Sequence, residues 1–527
     1  MASDKKVLLV ILDGWGLSGV EEGNAPLKAK TPTLDFVYQN YPKTSLSASG
    51  ISVGLSDGDP GNSEVGHLNI GTGRVVWESL PRINQDIESK SLEKNETLQQ
   101  LADYSRKNNK TVHMVGLVSD GGVHAHIDHL ILVCKILNDK KVAKIRIHFI
   151  SDGRDTDPEA AARYLAQIES ELSSLKDCRV ATMVGRYFAM DRDKNWDRVK
   201  QATDLFFDNK GLPFVTGQEA ITQNYNAKKD DESMSPTVIG EGGKIEAGDA
   251  VLLFNYRADR AKQLLMSMTP STMLGAAGIN PPKDLYVVTM TQYIKDQSAP
   301  VIFPPINLEN TLPELISRAG LTQFHTAETE KFAHVTYFFN AGKETSQQKE
   351  IDLLVPSKKV ESYSKVPEMS AKEITDKLTG AMKENINFVV VNYANGDMVG
   401  HTGSEEGAIK ACEAVDHCLN EVFATASKQG YKVILTADHG NCEKMIDEVS
   451  KKPNKEHTSN PVPMLFMDFL KRPYVFVETT LTKEEYTQYS SGTPIGVLAD
   501  IAPSVLANLG VDKLGDMSGM DLTIAMI

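Results

Sequence analysis

Short runs of apolar residues, many of them β-branched, recur along this chain and alternate with longer amphipathic stretches. Buried parallel strands read as continuous apolar runs, because helices cover both faces of their sheet. The pattern therefore predicts an α/β fold with mainly parallel sheets. The runs form two groups. The first group is Val7–Leu12, Asn387–Asn392, Lys432–Thr436 and Pro463–Met467, and the second is Thr111–Val118, Lys144–Ile150, Arg179–Val184, Ala250–Asn255 and Leu285–Tyr293.

The composition is that of an ordinary globular protein, and 527 residues are enough for more than one domain. The net charge is −14, so the chain as a whole repels nucleic acid and membrane surfaces, and we expect neither as a partner. An anionic ligand would need a local basic cluster. The five cysteines follow no CxxC pattern and indicate reduced thiols. The first apolar run is too short for a signal peptide, so we expect a cytoplasmic protein.

Proline and glycine suggest how the chain is divided. Pro304 and Pro305 mark one predicted domain joint, and a second is expected near residues 74–80, after a glycine-rich helix start. Residues 228–246 are polar and rich in glycine, and are predicted to form either an exposed loop or an irregular excursion.

Acidic residues follow three strands of the first group, at the sheet edge where ligands of open α/β proteins bind. A single aspartate there is often only a helix cap. Three aspartates with histidines nearby are better explained as metal ligands. Carboxylate and imidazole without thiolate suit Mn²⁺, Zn²⁺ or Mg²⁺, so the pattern predicts a two-metal site. Its candidate ligands are Asp13, Asp397, His401, Asp438, His439 and His457.

Ser63 lies in the turn PGNSEVGH, which is predicted to open a helix. Most serines at such a position are N-caps. A hydroxyl there also faces helix-end N–H groups, which favour an incoming phosphate. Because Ser63 does not lie in a GxSxG elbow, activation by a metal is the favoured route to a nucleophilic serine.

Arginines follow the strands of the second group, and a solvated surface explains them poorly in an acidic chain. Guanidinium groups bind phosphate and carboxylate bidentately, so they predict a pocket for a small polyanion. Asp155 would repel an anion, and a proton-transfer role fits it better. Lys331, just before an apolar strand candidate, is either a surface lysine or a further anion ligand. The other members of the set are His124, Arg154, Arg186, Arg192, Arg257 and Arg260.

Several longer motifs resemble those of the cofactor-independent (2,3-bisphosphoglycerate-independent) phosphoglycerate mutases, in the alkaline phosphatase superfamily. They follow the family's order from residue 7 to residue 463. The motifs are LDGWG, GNSEVGHLNIGTGRVV, SDGGVHAH, SDGRDT, GRYFAMDRD, FNYRADR, TEKFAHVTYFFN, PEMSA, DMVGHTG, TADHGN and HTSNPVP.

The resemblance implies a phosphatase-like metal-binding domain formed by residues 1–76 and 312–527, interrupted by a substrate-binding phosphotransferase domain at residues 77–311. It implies two divalent ions, Mn²⁺ ahead of Mg²⁺, Co²⁺ or Zn²⁺. One ion would be held by Asp13, Ser63, Asp438 and His439, and the other by Asp397, His401 and His457. The substrate-binding set would be His124, Arg154, Asp155, Arg186, Arg192, Arg257, Arg260 and Lys331.

The implied activity is the glycolytic interconversion of 3-phosphoglycerate and 2-phosphoglycerate without 2,3-bisphosphoglycerate, by a monomer. Ser63 would become phosphoserine and Asp155 would transfer protons. The alternatives are a metal-dependent phosphomonoesterase or another phosphomutase of the same superfamily, and a protein that binds a phospho-ligand without turning it over. Release of inorganic phosphate would identify a phosphatase.

Overall fold

The computed structural model describes residues 5–269, 274–275 and 277–526. The chain forms two compact units. Unit 1 is Met1–Pro81 together with Asn307–Ile527, and unit 2 is Arg82–Ile306. Unit 1 is thus assembled from the two ends of the chain, and unit 2 from the segment between them.

Unit 1 is built on one eight-stranded sheet. Its strands are β1 (Val7–Leu12), β2 (Lys43–Ser47), β11 (Gln323–Glu328), β12 (Glu350–Val355), β13 (Phe388–Tyr393), β14 (Lys432–Thr436), β15 (Val462–Asp468) and β16 (Gly496–Val497). Their order is β12-β11-β13-β1-β14-β15-β2-β16. The first five strands in this order are parallel to one another, and β15 pairs antiparallel with β14 and β2.

The apolar run of β1 places this strand in the middle of the unit 1 core. All six of its side chains are buried, as those of β13 are, because helices cover both faces of the sheet. The helices of unit 1 are α1 (Ala25–Lys28), α2 (Pro32–Asn40), α3 (Ser63–Thr72), α12 (Leu312–Arg318), α13 (Ala371–Lys383), α14 (Asn395–Gly400), α15 (Glu405–Gln429), α16 (Lys483–Ser490) and α17 (Ile501–Leu509).

Unit 2 contains a second eight-stranded sheet. Its strands are β3 (Val112–Leu117), β4 (Ile145–Ser151), β5 (Cys178–Gly185), β6 (Leu212–Phe214), β7 (Thr237–Ile239), β8 (Ala250–Leu253), β9 (Tyr286–Thr291) and β10 (Val301–Phe303). Their order is β10-β9-β8-β3-β4-β5-β7-β6, and only the β5–β7 pair is antiparallel.

The remaining helices belong to unit 2, except that α4 begins in the last residues of the first segment of unit 1. They are α4 (Ser79–Glu88), α5 (Glu96–Asn108), α6 (Ile127–Asp139), α7 (Ala161–Leu172), α8 (Arg186–Ala189), α9 (Trp196–Asp208), α10 (Gly217–Asn226) and α11 (Lys262–Ser267).

The predicted α/β class with mainly parallel sheets is confirmed. All five cysteines are free. In the part of the chain that the structure describes, no helix combines the length and the apolar character that crossing a membrane requires.

One local prediction is partly right and another is wrong. Residues 228–246 are irregular outside β7, but they are not an exposed loop throughout, because Asp231 and Met234 are fully buried and the segment contributes β7 to the sheet. The apolar stretch after Lys331 is not a strand but a π-helix, His334–Phe338. The strand in this region is β11, which precedes Lys331. Its sequence contains polar residues and is not a continuous apolar run, so the pattern did not indicate a strand there.

Candidate active site

Three aspartates meet where adjacent parallel strands of unit 1 end. Asp13 directly follows β1, Asp397 lies in α14 after β13, and Asp438 comes two residues after β14. Because β1 lies between β13 and β14 in the sheet, the chain brings these carboxylates to one edge. All three side chains are buried, which requires positively charged or hydrogen-bonding partners for them.

The first group of partners surrounds Asp397. Its Oδ1 atom lies 3.2 Å from His401 Nε2 and 3.1 Å from His457 Nε2, and these two nitrogens are 3.0 Å apart. Each ring uses its other nitrogen to contact a backbone carbonyl, His401 that of Lys455 at 2.7 Å and His457 that of Gly61 at 2.8 Å. Both Nε2 atoms are therefore directed at one point beside a carboxylate, which is the arrangement of a metal site with supporting hydrogen bonds.

The second group surrounds Ser63. Its Oγ atom lies 3.3 Å from Asp13 Oδ1 and 2.9 Å from His439 Nε2. The same His439 nitrogen lies 3.5 Å from both Asp13 Oδ1 and Asp438 Oδ2. Asp438 Oδ2 is buried and has no hydrogen-bond partner among the described residues. A buried carboxylate oxygen without a hydrogen-bond partner, beside an imidazole nitrogen that also contacts a serine hydroxyl, fits a divalent cation.

Ser63 is presented by the start of helix α3. Asn62 caps this helix, its side chain accepting a hydrogen bond from the backbone N–H of Val65. Ser63 itself is thus the first residue of the helix rather than its cap. Gly66, one turn on, packs against Asp438, where an added Cβ would lie 2.6 Å from the Asp438 carbonyl oxygen. Helix α3 can approach the metal-binding edge this closely only because residue 66 has no side chain.

Lys331 lies at the centre of the unit 1 site, although the sequence left open whether it was a surface residue. Its Nζ donates to Ser63 Oγ at 2.7 Å and to Asp397 Oδ2 at 2.6 Å, and lies 2.7 Å from Asp13 Oδ1. It follows β11 through a short 3₁₀ turn and so obeys the same strand-end rule as the aspartates. It belongs to unit 1, whereas the arginines of the predicted substrate-binding set belong to unit 2.

These contacts determine the charge state of the unit 1 site. Burial alone would raise the pKa values of Asp13 and Asp397, but the Lys331 ammonium holds both well below the ordinary range. Burial alone would likewise lower the pKa of His439, but Asp438 and its neighbouring carboxylates raise it to about 10. The site therefore carries ionised carboxylates, and positive charge stabilises it.

Unit 2 gathers a second cluster at the ends of its own strands. Asp155 follows β4 and Arg186 follows β5, and their side chains pair at 2.5 Å. His124, in the loop after β3, lies 3.9 Å from Asp155 Oδ2. Burial, helped by the positive charge of Arg186, lowers the pKa of His124 to about 4.

Further arginines complete the unit 2 cluster. Arg192 and Arg257 each lie 3.3 Å from Asp259, and both are about half exposed. Arg154 lies 3.5 Å from Glu232 and is exposed to a similar degree. Burial, then repulsion by Arg192 and other arginines, lowers the pKa of Arg260. Several guanidinium groups lie close together here and three of them are half exposed, an arrangement that suits binding of an anionic ligand.

Sequence reasoning missed two carboxylates that organise this cluster. Asp152 is fully buried and accepts hydrogen bonds from Arg186, Ser119 and two backbone N–H groups. Asp259 contacts His124 as well as the two arginines. Asp152 lies in the motif SDGRDT and Asp259 in YRADR. The nearby arginines in both motifs were the sequence feature that could have indicated these carboxylates.

Comparisons with known proteins agree with this geometry. A family model described as the Metalloenzyme superfamily matches residues 5–513. The 2,3-bisphosphoglycerate-independent phosphoglycerate mutase of Clostridium novyi is 41% identical over 524 residues, covering 98% of this chain and 99% of that protein. The enzyme of the same name from Picosynechococcus is 43% identical, covering 98% and 96%.

A solved structure supports the same assignment. The chain is similar to the structure titled as Leishmania mexicana phosphoglycerate mutase at low cobalt concentration, with a TM-score of 0.56, 29% identity and coverage of 98% and 97%. The motif order, the metal-type donor groups at the sheet edge and 41–43% identity to curated relatives along almost the entire length lead to one conclusion. The chain belongs to the family of 2,3-bisphosphoglycerate-independent phosphoglycerate mutases, which are isomerases.

Proposed function

We propose that this protein interconverts 3-phosphoglycerate and 2-phosphoglycerate without 2,3-bisphosphoglycerate, and that Ser63 carries the phosphoryl group between the two positions. The observation that carries the proposal is the setting of Ser63 Oγ, which lies 2.7 Å from Lys331 Nζ and 2.9 Å from His439 Nε2 at the start of a helix. A buried hydroxyl with a cation beside it suits attack on a phosphate and stabilisation of the charge that develops.

We propose two divalent ions, with Mn²⁺ as the physiological metal, in the two donor groups of unit 1. The donor sets support this, because they mix carboxylate, imidazole and hydroxyl groups and contain no thiolate. When bound, these cations would favour ionisation of the serine hydroxyl and offset the charge of the phosphoryl oxygens. One ligand set is Asp13, Ser63, Asp438 and His439, and the other is Asp397, His401 and His457.

The chain's own residues account for the remaining chemistry. Ionised Ser63 Oγ forms a bond to phosphorus while the bond from phosphorus to the glycerate oxygen breaks, and protonated Asp155 donates its proton to that oxygen. The other glycerate hydroxyl then attacks phosphoserine, Asp155 takes its proton, and the bond from phosphorus to Ser63 Oγ breaks, which leaves the serine ionised again. Lys331 neutralises charge next to Ser63 throughout.

We assign unit 1 as the metal-binding phosphatase-like domain and unit 2 as the phosphotransferase domain. The arginines of unit 2 would hold the carboxylate of the glycerate while its phosphoryl group is transferred. The substrates are glycolytic intermediates, and on that ground we propose that the protein acts in the cytoplasm, as a monomer.

Phosphorus NMR of the protein with 3-phosphoglycerate and Mn²⁺, without bisphosphoglycerate, tests the proposal. We expect 2-phosphoglycerate to appear without inorganic phosphate, and to stop appearing after chelation. Ser63→Ala should abolish turnover, while Ser89→Ala, a change at an exposed serine, should retain it. Accumulation of inorganic phosphate would mean that the protein is a phosphatase and not a mutase. Turnover by Ser63→Ala would refute the phosphoserine intermediate.

A further inference from the structure

His67 is a fully buried histidine of α3 that the mechanism above does not use. Its Nδ1 atom lies 2.9 Å from the backbone carbonyl oxygen of Ser63 and 3.2 Å from Asp438 Oδ2, and its Nε2 atom lies 3.0 Å from Asn392 Nδ2. By distance alone, Asp13, His67 and Asp438 are a third set of groups close enough to share a metal ion. His67 is therefore either a metal ligand or a residue that positions the ligands.

The hydrogen bonds of the Asn392 side-chain amide distinguish between these two roles. Its Nδ2 atom lies 2.7 Å from Asp13 Oδ2. An ionised carboxylate only accepts hydrogen bonds, so the amide must turn its nitrogen, and not its oxygen, toward Asp13. The reversed amide would set two oxygens against each other at this distance.

The amide nitrogen of Asn392 has two hydrogens, and the second is directed at His67. His67 Nε2 must therefore accept, since a protonated Nε2 would oppose another donor at 3.0 Å. A neutral imidazole that accepts through Nε2 carries its hydrogen on Nδ1. That hydrogen is donated to the carbonyl oxygen of Ser63, on the side of the ring that faces Asp438. Neither ring nitrogen is then free to bind a metal ion.

We propose that Asn392 and His67 form a positioning pair for the metal site and are not ligands themselves. The pair links the carboxylate of Asp13, at the end of β1, to the first turn of α3, where Ser63 begins the helix. The N–H of His67 also faces the Asp438 oxygen that has no hydrogen-bond partner. The inference rests on the proposed ligand set, because the groups that the pair orients are two of its members.

Nitrogen-15 NMR of histidine-labelled protein tests the tautomer without requiring activity. We expect His67 to carry its hydrogen on Nδ1 and none on Nε2, in the chelated protein and equally after Mg²⁺ addition. Its signals are assigned by their absence in His67→Asn. A hydrogen on Nε2, or loss of the Nδ1 hydrogen when the metal is added, would overturn the positioning role.

Metal affinity tests the consequence. Residues that orient metal ligands typically contribute about 10- to 100-fold to affinity. We therefore expect Asn392→Leu to weaken Mn²⁺ binding to one of two sites by that factor, in an EPR titration. His67→Phe should do the same, and the double variant should lose little more, since the two act as one unit.

Two further variants serve as controls for the affinity measurement. In His67→Asn the amide nitrogen can replace Nδ1 as the donor to Ser63, so its Mn²⁺ affinity should lie closer to that of the wild type. Thr375→Val removes a buried hydrogen bond to Tyr393, the neighbour of Asn392, without contacting the site, and should leave affinity unchanged. Unchanged affinity in both Asn392→Leu and His67→Phe would refute the inference. A failure of the proposed function would instead appear in the wild type, as absent conversion of 3-phosphoglycerate.

Discussion

Lys331 donates a hydrogen bond of 2.7 Å to the hydroxyl of Ser63, and both side chains are buried. The same ammonium lies within 2.7 Å of carboxylate oxygens from Asp13 and Asp397. These carboxylates in turn raise the pKa of Lys331 above its ordinary value, against the opposing effect of burial. One lysine thus stabilises both the nucleophile and two proposed metal ligands.

We predict that Lys331→Met destabilises the metal-free protein more than the metal-loaded one. Removing one partner of a buried ion pair costs about 3–5 kcal/mol, because the remaining charge has no compensation. Bound Mn²⁺ would supply positive charge to the same carboxylates and so reduce the loss. Urea unfolding with chelator and with Mn²⁺ measures the difference.

Lys343→Met is the matched control, since Lys343 pairs with Glu314 and its side chain is 37% exposed. This pair should contribute less than about 1 kcal/mol with or without metal. An equal loss for Lys331→Met in both conditions would mean that Lys331 and the metal do not share the same carboxylates.

The strand-end rule accounts for most of what the sequence predicted about the unit 1 site. Asp13, Asp397 and Asp438 each follow an apolar run, and parallel pairing of β1 with β13 and β14 brings them together. Apolar runs are visible in a sequence because central strands must be buried on both faces. The bounds of β1 and β14 were predicted to the residue for that reason.

The strand before Lys331 was not predictable in this way. Strand β11 has the sequence QFHTAE, and its polar side chains are buried because segments outside the strand satisfy their hydrogen bonds. Gln323 donates to the carbonyl of Pro313, and His325 Nδ1 lies 2.7 Å from the carbonyl of Val335. The role of Asn392 was not predictable either, because it depends on a contact with Asp13, which lies far away in the chain.

We predict that Gly66→Ala lowers turnover by about 10- to 100-fold. An added Cβ would lie 2.6 Å from the carbonyl oxygen of Asp438, so α3 must move and take Ser63 with it. Small displacements of a reacting group have effects of this size. Steady-state kinetics measures the change.

Gly380→Ala in α13 provides the comparison, because nothing lies within 4 Å of its added Cβ. It should leave turnover unchanged and gain up to about 1 kcal/mol in helix stability. Full activity in Gly66→Ala would contradict the close packing of α3 on Asp438 as a requirement for catalysis.

We predict that Asp152→Asn reduces kcat/KM by about 10- to 100-fold, mainly through KM. Asp152 pairs with Arg186 at 2.5 Å and accepts the backbone N–H of Asp155, and a hydrogen bond to a charged group contributes about 1.5–3 kcal/mol. Ser119→Ala removes another hydrogen bond to Asp152 but leaves Arg186 paired, so its effect should be smaller. Equal effects of the two substitutions would mean that Asp152 does not act by holding Arg186 in place.

We predict that His124 remains neutral down to about pH 5. Burial, with the charge of Arg186 adding to it, lowers its pKa to about 4, whereas an unfolded histidine titrates near ~6.5. Below pH ~6.5 the unfolded chain therefore binds the proton more readily, and the contribution of His124 to stability falls as pH drops toward 4. The Cε1–H chemical shift of His124 should stay constant from pH 8 to pH 5 and should titrate near pH ~6.5 in urea. A midpoint near ~6.5 in the folded protein would contradict this prediction. His124 would then add a positive charge to the arginine cluster below that pH, and would be an ion there rather than a neutral hydrogen-bonding group.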